Sequence, residues 1–195
     1  MIVFDVEIEK AILGRGEIPI PGIEYCSGWR AFEEMGLACC CTFDTETHLT
    51  RVFLKKQLDE LQTYLATHRS GGFNTRRFDL KLLEVNGVTL PAFGRERHYD
   101  ALEQIWLKLG LDPDKFVPQT HGGWGLDAVM QETFGLSKSG AGALAPVWWQ
   151  QGERGKVVDY CCRDAWLEAK LITHMLAGGE IKAAGKPTLQ FAPAP

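Results

Sequence analysis

The sequence predicts an α/β protein in which helices cover both faces of a mixed β-sheet. An apolar, β-type run opens the chain at residues 1–8, a β-hairpin pattern occupies residues 37–53, and helical periodicity alternates with short strands after it. No internal repeat or linker divides the 195 residues. We therefore expect one domain over residues 1–178, followed by a C-terminal tail over residues 179–195 that lies on the surface or is flexible.

Local patterns place the remaining elements in chain order. Residues 37–43 are apolar enough for a buried strand, and residues 50–53 return as its hairpin partner across a polar turn. Asn74 is expected to cap a helix that starts at Thr75. The predicted helices cover residues 54–68, 75–85, 101–109, 125–134 and 153–176, and the short strands cover residues 71–73 and 95–100.

Composition excludes several classes of protein. Hydrophobic residues make up 45% and charged residues 24%, which argues against a disordered chain, a collagen-like chain or a coiled coil. The net charge of −4 excludes nucleic-acid binding by bulk positive charge alone. We expect no membrane association, because no apolar run approaches the ~20 residues of a membrane span, and no signal peptide is recognisable at the N-terminus.

The six cysteines indicate a reducing compartment. They occur as Cys26, the triplet Cys39 to Cys41, and the adjacent pair Cys161 and Cys162. Adjacent cysteines rarely bridge each other, and the CxxC pairs typical of structural zinc sites are absent. We therefore expect reduced, mostly buried thiols in a cytoplasmic protein.

Two acidic residues interrupt the apolar first strand. Asp5 and Glu7 are two positions apart, so both side chains point to the same face. Paired carboxylates in a buried strand repel each other and resist desolvation, and a divalent cation would relieve both costs. Oxygen ligands of this type suit Mg²⁺ or Mn²⁺. The alternative without a metal is a strand that ends at Phe4 and leaves both acids in solvent.

Two later segments contain further candidate ligands. Phe78 and Asp79 follow Asn74 near the start of a predicted helix, where Asp79 could equally serve only to stabilise the helix dipole. Tyr160 and Asp164 are four residues apart in the last predicted helix, hence on one face. The apolar residues around them indicate that Asp164 is at least partly buried.

In this order, the three motifs resemble those of the DEDD superfamily of 3′–5′ exonucleases. The match is to the tyrosine-bearing (DEDDy) subclass, typified by the proofreading domains of family A and family B DNA polymerases, and it covers residues 1 to about 176. The histidine-bearing subclass is disfavoured because Asp159 stands where that subclass has its histidine. Ile8 replaces the usual Thr or Ser after the first motif, and the segment 9–36 is longer than usual; both departures concern substrate contacts.

The resemblance implies an RNase H-like fold with a five-stranded mixed sheet, and a metal-dependent hydrolase acting on phosphodiester bonds. Its cofactors would be two divalent cations, Mg²⁺ or Mn²⁺, held by Asp5, Glu7, Asp79 and Asp164, with Asp5 bridging the two. Tyr160 would orient the attacking water by hydrogen bonding, because its ordinary pKa near 10 makes it a poor base at neutral pH. The products would be 5′-nucleoside monophosphates.

The expected partner is a single-stranded nucleic-acid 3′ end, with DNA favoured over RNA. Residues 69–98 carry a net charge of +3 by count and are the better candidates for phosphate contact. The residues expected to bind nucleic acid are Asn74, Arg76, Arg77, Phe78 and His121. For any single aromatic residue, core packing or loop anchoring is the stronger alternative.

Three alternatives stay open at this point. The first is an exoribonuclease with the same residues, because recognition of the 2′-hydroxyl depends on pocket shape. The second is a catalytically silent nucleic-acid-binding module of the same fold. The third is an unrelated α/β protein whose acidic residues match by chance. Thermal stability separates the third from the others, because a metal-binding protein should melt at a higher temperature with Mn²⁺.

Overall fold

The structure is a computed structural model that describes residues 1–90, 96–138, 140 and 142–194. Its strands are β1 (Ile2–Ile8), β2 (Ala11–Ile12), β3 (Tyr25–Cys26), β4 (Leu37–Asp44), β5 (Thr50–Leu54), β6 (Ser70–Gly72), β7 (His98–Asp100), β8 (Glu180–Ile181) and β9 (Leu189–Gln190). Its helices are α1 (Phe32–Met35), α2 (Leu58–Thr67), α3 (Asp79–Val85), α4 (Ala101–Lys108), α5 (Pro118–His121), α6 (Leu126–Phe134), α7 (Ala145–Gln150) and α8 (Arg154–Leu176). Short 3₁₀ turns occur at Lys55–Gln57 and Gly142–Leu144.

A five-stranded mixed sheet lies at the centre, in the order β5-β4-β1-β6-β7. β4 is antiparallel to both β1 and β5, and the β4–β5 hairpin needs only a short turn. β1, β6 and β7 run parallel, and the helices between them provide the crossover connections that parallel strands require. The predicted α/β class with a five-stranded mixed sheet is confirmed.

Helices pack on both faces of this sheet because β1 alternates its side chains between two cores. On one face, Phe4 and the other even-numbered residues of β1 pack with leucines of α2 and α3. On the other face, Val3 packs with residues of α4, α6 and α8. Asp5 and Glu7 share the parity of Val3, so they project toward α8.

The helix predicted from Thr75 begins later than expected. α3 starts at Asp79, and Asn74 adopts a left-handed conformation (φ 63°) without capping it. The reason is Asp100, whose carboxylate accepts hydrogen bonds from the backbone N–H groups of Asn74 (3.0 Å) and Arg76 (3.0 Å). Asp100 also caps α4, so one buried carboxylate fixes both the loop before α3 and the start of α4.

Residues 179–194 pack more closely than the flexible tail expected over 179–195, of which residue 195 lies outside the described residues. β8 and β9 form an antiparallel pair, and Ile181, Ala183 and Leu189 are buried in the same core as α8. The predicted strand over residues 95–100 is observed as β7; residue 95 lies outside the described residues.

The cysteines are free thiols, as predicted, and five of the six are buried. None of the helices in the described ranges combines the length and the apolar character needed to cross a membrane.

Candidate metal centre and its cleft

Three carboxylates meet where α8 crosses β1, with Glu7 and Asp164 buried and Asp5 partly buried. Asp5, Glu7 and Asp164 each offer a carboxylate oxygen, and these oxygens lie within 4.8 Å of one another. Strand alternation directs Asp5 and Glu7 to one face, and the packing of α8 on β1 and β4 brings Asp164 onto that face. The acids of the first and third sequence motifs therefore lie together in the fold.

Asp79 lies beside this cluster, at the first position of α3. Its Oδ1 accepts a hydrogen bond from the backbone N–H of Val6 (3.2 Å), which ties α3 to the strand between Asp5 and Glu7. The side chain is buried, and its charge is close enough to raise the pKa of Asp5. All four carboxylates predicted as ligands thus lie together, with Asp79 adjacent to the group formed by the other three.

The pKa values of the four carboxylates are raised, which indicates that nearby positive charge would stabilise their ionised forms. Burial, followed by the charges of Asp79 and Asp164, raises the pKa of Asp5 well above its ordinary range. Burial likewise raises the pKa of Glu7 and Asp164, and it raises the pKa of Asp79 to about 7. These shifts are typical of closely spaced buried acids whose negative charges are only partly compensated.

Two oxygen atoms of the cluster are left without partners. Asp5 Oδ2 and Asp164 Oδ1 are buried, and neither has a hydrogen-bond partner among the described residues. A buried, unpaired carboxylate oxygen is costly, so most such atoms in native proteins are hydrogen-bonded or bind a cation. The donor set consists of hard oxygens, which fits Mg²⁺ or Mn²⁺.

Lys138 supplies positive charge that the sequence patterns did not reveal. Its Nζ lies 2.5 Å from Asp164 Oδ2 and donates a hydrogen bond to the Tyr160 hydroxyl (3.1 Å). Burial alone would lower the pKa of Lys138, but the charges of Asp164 and Asp5 outweigh it and raise the pKa overall. A lysine in a Gly- and Ser-rich loop is typical of an exposed residue, and only the tertiary structure brings it to this position.

Tyr160 lies at the edge of the cluster, one helical turn before Asp164. Its ring packs in the core with Cys39 and Cys41, while its hydroxyl reaches Lys138. Burial raises the pKa of Tyr160, so the hydroxyl stays protonated across the physiological range. It can therefore donate a hydrogen bond to a water or a substrate oxygen.

Glu168 is a further buried acid beside the cluster that the sequence analysis did not single out. It lies one turn after Asp164 on α8, and its Oε2 accepts a hydrogen bond from the backbone N–H of Phe73 (3.2 Å). Burial, then the charges of Asp5 and Asp79, raises its pKa well above the ordinary range. The i+4 spacing from Asp164 along an apolar helix was the available signal.

A cleft of about 1470 Å³ opens onto these carboxylates. The acidic cluster lies in it together with Lys138 and Tyr160, and aromatic side chains from the segment 9–36 form part of its wall. Trp29 is 68% exposed there, and its ring makes an edge contact with Phe78 (centroids 6.2 Å apart). The long segment after β1 therefore shapes the cleft.

The residues predicted to bind nucleic acid all line this cleft, but their availability differs. Phe78 is half-buried and packs on Phe32 (ring centroids 5.6 Å apart), and Arg77 is exposed, with its guanidinium 5.0 Å from the centre of the Phe116 ring. Arg76 is half-buried and forms an ion pair with Glu103 (3.3 Å), so its charge is already largely balanced. Asn74 is held through its backbone, as described above.

His121 anchors a loop. The side chain is 4% exposed, its Nδ1 lies 3.1 Å from the backbone N–H of Val117, and its Nε2 lies 3.1 Å from the carbonyl oxygen of Asp112. A tautomer with the proton on Nε2 satisfies both contacts. The loop-anchoring alternative describes this residue better than base stacking does.

Fewer cations of the basic segment reach the cleft than its composition suggests. Arg97 points elsewhere, where it donates to the carbonyl oxygen of Ala66, and Arg95 lies outside the described residues. Within the described part of this segment, Arg77 and Lys81 are the exposed cations that line the cleft. They are the residues best placed to contact a phosphate at its rim.

No protein-family model matches the chain, and no curated protein matches its sequence. The geometry of the cleft and the sequence motifs are therefore what indicate the function.

Proposed function

We propose that this protein is a metal-dependent 3′–5′ exonuclease with an RNase H-like fold, acting on single-stranded nucleic-acid ends, with DNA favoured. One observation carries the proposal: Asp5, Glu7 and Asp164 present oxygens within 4.8 Å of one another, and two of their buried oxygens lack a partner among the described residues. Asp79 joins them from a separate element. Four acids from three chain segments, in the order of the DEDD motifs, support this chemistry together.

The carboxylates fit a pair of divalent cations. Asp5, Glu7 and Asp164 would hold one, and Asp79, together with Asp5, would support the second. When bound, two such cations lower the pKa of the attacking water and stabilise the charge on the leaving oxygen. Without them, the same carboxylates would repel a phosphodiester, so substrate binding should itself depend on the metal.

The remaining groups act on the substrate and the water. The protonated Tyr160 hydroxyl holds the nucleophile in position by a hydrogen bond. Lys138, next to it, balances the charge of Asp164 and adds positive charge beside the scissile phosphate. Trp29 and Phe78 offer ring faces to unpaired bases, which favours single strands, while Arg77 and Lys81 contact the backbone.

A second candidate function is a nucleic-acid-binding module without hydrolysis. The observation in its favour is the ion pair between Lys138 and Asp164, which supplies part of the positive charge that a metal would provide. An exoribonuclease uses the same residues and is distinguished only by its substrate.

The test is a gel assay with 5′-labelled single-stranded DNA and RNA in Mg²⁺ or Mn²⁺. We expect a metal-dependent ladder that shortens from the 3′ end and disappears in Asp5→Ala/Asp164→Ala. Asp159→Ala is the matched control, because Asp159 is an exposed carboxylate on the same helix, one residue before Tyr160. Metal binding without cleavage of either substrate would favour the binding module, and absence of both would overturn the proposal.

A further inference from the structure

A second cluster of potential ligands lies directly beside the carboxylates. Cys39, Cys41 and Cys161 each present a sulfur atom, and the three sulfurs lie within 4.8 Å of one another. Cys39 and Cys41 share one face of β4, and Cys161 comes from α8, three residues before Asp164. All three are completely buried.

We propose that Cys39, Cys41 and Cys161 form a binding site for one thiophilic divalent cation, with Zn²⁺ as the physiological candidate. Three convergent sulfurs from two rigid elements match the thiolate sets that bind soft or borderline metals. This chemistry differs from that of the neighbouring oxygen cluster, which suits hard cations. The proposal does not depend on nuclease activity.

The charges nearby favour a divalent over a monovalent ion. Three thiolates with a divalent cation leave one residual negative charge, whereas Cu⁺ would leave two. In the β1–β4 ladder Cys39 lies opposite Glu7 and Cys41 lies opposite Asp5, so each additional buried negative charge adds repulsion.

The surroundings are suited to a closed site. The buried residues packed with the sulfurs are Ala145, Val157 and Tyr160. Partly buried side chains complete the surroundings and limit access of water: Val52, Trp148, Trp149, Val158 and Cys162. The Cys161 thiol donates to the carbonyl oxygen of Asp5 (3.3 Å), and the Cys41 thiol donates to that of Val158 (3.8 Å). Metal binding must displace these protons, so affinity should rise with pH.

Occupation of this site would affect the carboxylates mechanically. The thiols connect β4 to α8, and the same two elements border Asp5 and carry Asp164. A metal held by the sulfurs would fix the spacing between sheet and helix at the acidic cluster. The two metal centres would thus be coupled through shared elements rather than shared ligands.

The test is a titration of the full-length, reduced protein with Cd²⁺ in excess Mg²⁺, followed by the ultraviolet thiolate-to-metal charge-transfer absorption. Carboxylates give no such band, so occupancy of the acidic cluster does not interfere. We expect saturation at one equivalent and competition by Zn²⁺. Absence of a band in the unmodified protein would overturn the proposal without any variant.

The variants test the assignment of the sulfurs. Cys39→Ser and Cys161→Ser should each weaken Cd²⁺ binding more than ~10-fold, since loss of even outer-shell groups costs that much. Cys40→Ser is the matched control, because Cys40 lies on the same strand but packs on the opposite face. Asp5→Ala should retain the band. Equal loss in Cys40→Ser, or an unchanged band in Cys161→Ser, would refute the site.

Discussion

Replacing Lys138 by methionine tests whether the lysine charge stabilises the carboxylates in the way a bound metal ion would. The variant keeps most of the volume and removes the charge that lies 2.5 Å from Asp164 Oδ2. Removing one partner of a buried ion pair costs about 3–5 kcal/mol. Because the Lys138 side chain is 27% exposed, we expect the lower end, about 3 kcal/mol, or a fall in Tm of roughly 6–12 °C for a chain of this size.

Two conditions should reduce this loss. At acid pH Asp164 can be protonated, because burial has already raised its pKa and the loss of Lys138 raises it further. In Mn²⁺ the metal replaces the missing charge, so the metal-induced rise in Tm should be larger in Lys138→Met than in the unmodified protein. Urea unfolding at pH 8 and pH 5, with EDTA or Mn²⁺, measures both effects.

The control is Lys156→Met on α8, where the lysine is exposed and pairs with Glu153; we expect a change within about 0.5 kcal/mol. The reasoning would be refuted if Lys138→Met were as stable as this control. It would also be refuted if Mn²⁺ raised the Tm of Lys138→Met no more than that of the unmodified protein.

Three further predictions concern the same cluster. Without metal, the free energy of unfolding should fall as pH rises from about 4 to about 7, because folded Asp79, with its pKa raised to about 7, holds a proton that the unfolded chain has released. The loss of stability from this group is at most about 4 kcal/mol. Urea unfolding in EDTA across this pH range measures it, and a stability that does not change with pH would contradict the prediction. Tyr160→Phe should slow hydrolysis in single-turnover assays yet keep the Mn²⁺-induced rise in Tm; loss of that rise would make Tyr160 structural. Glu168→Gln keeps an acceptor for the Phe73 N–H and removes a buried charge. At pH 8 in EDTA this variant should therefore be more stable by about 1–3 kcal/mol. A lower stability in calorimetry would show that the charge of Glu168 is already compensated.

Local rules were sufficient for the parts of the site that lie on regular elements. Alternation along β1 placed Asp5 and Glu7 on one face, and helical spacing placed Tyr160 and Asp164 one turn apart on α8. The predicted start of α3 was wrong. Asn74 is a good N-cap by local rules, but the carboxylate of Asp100, distant in sequence, accepts hydrogen bonds from the backbone of the loop and holds it out of the helix. Tertiary hydrogen bonds overrode a local preference.

Contacts between distant segments explain what sequence reasoning missed. The role of Lys138 depends on its contact with Asp164, which lies far along the chain on α8. The loop that contains Lys138 has no helical or strand periodicity from which this contact could be predicted. The thiol cluster is similar: alternation pairs Cys39 with Cys41, but no local rule brings Cys161 to them. Glu168 could have been predicted from the sequence, because a second acid one turn from Asp164 on an apolar helix is itself unusual.

The hydrogen bond between Cys161 and the backbone of Asp5 spans 156 positions of the chain. A nascent chain emerging from a ribosome would therefore carry the first two acids long before it carries the helix that completes the centre. Until α8 has emerged and folded, the proposed metal centre would lack Asp164, and the proposed hydrolysis could not occur. Under the proposed function, uptake of a metal ion would therefore report that α8 has packed against β1.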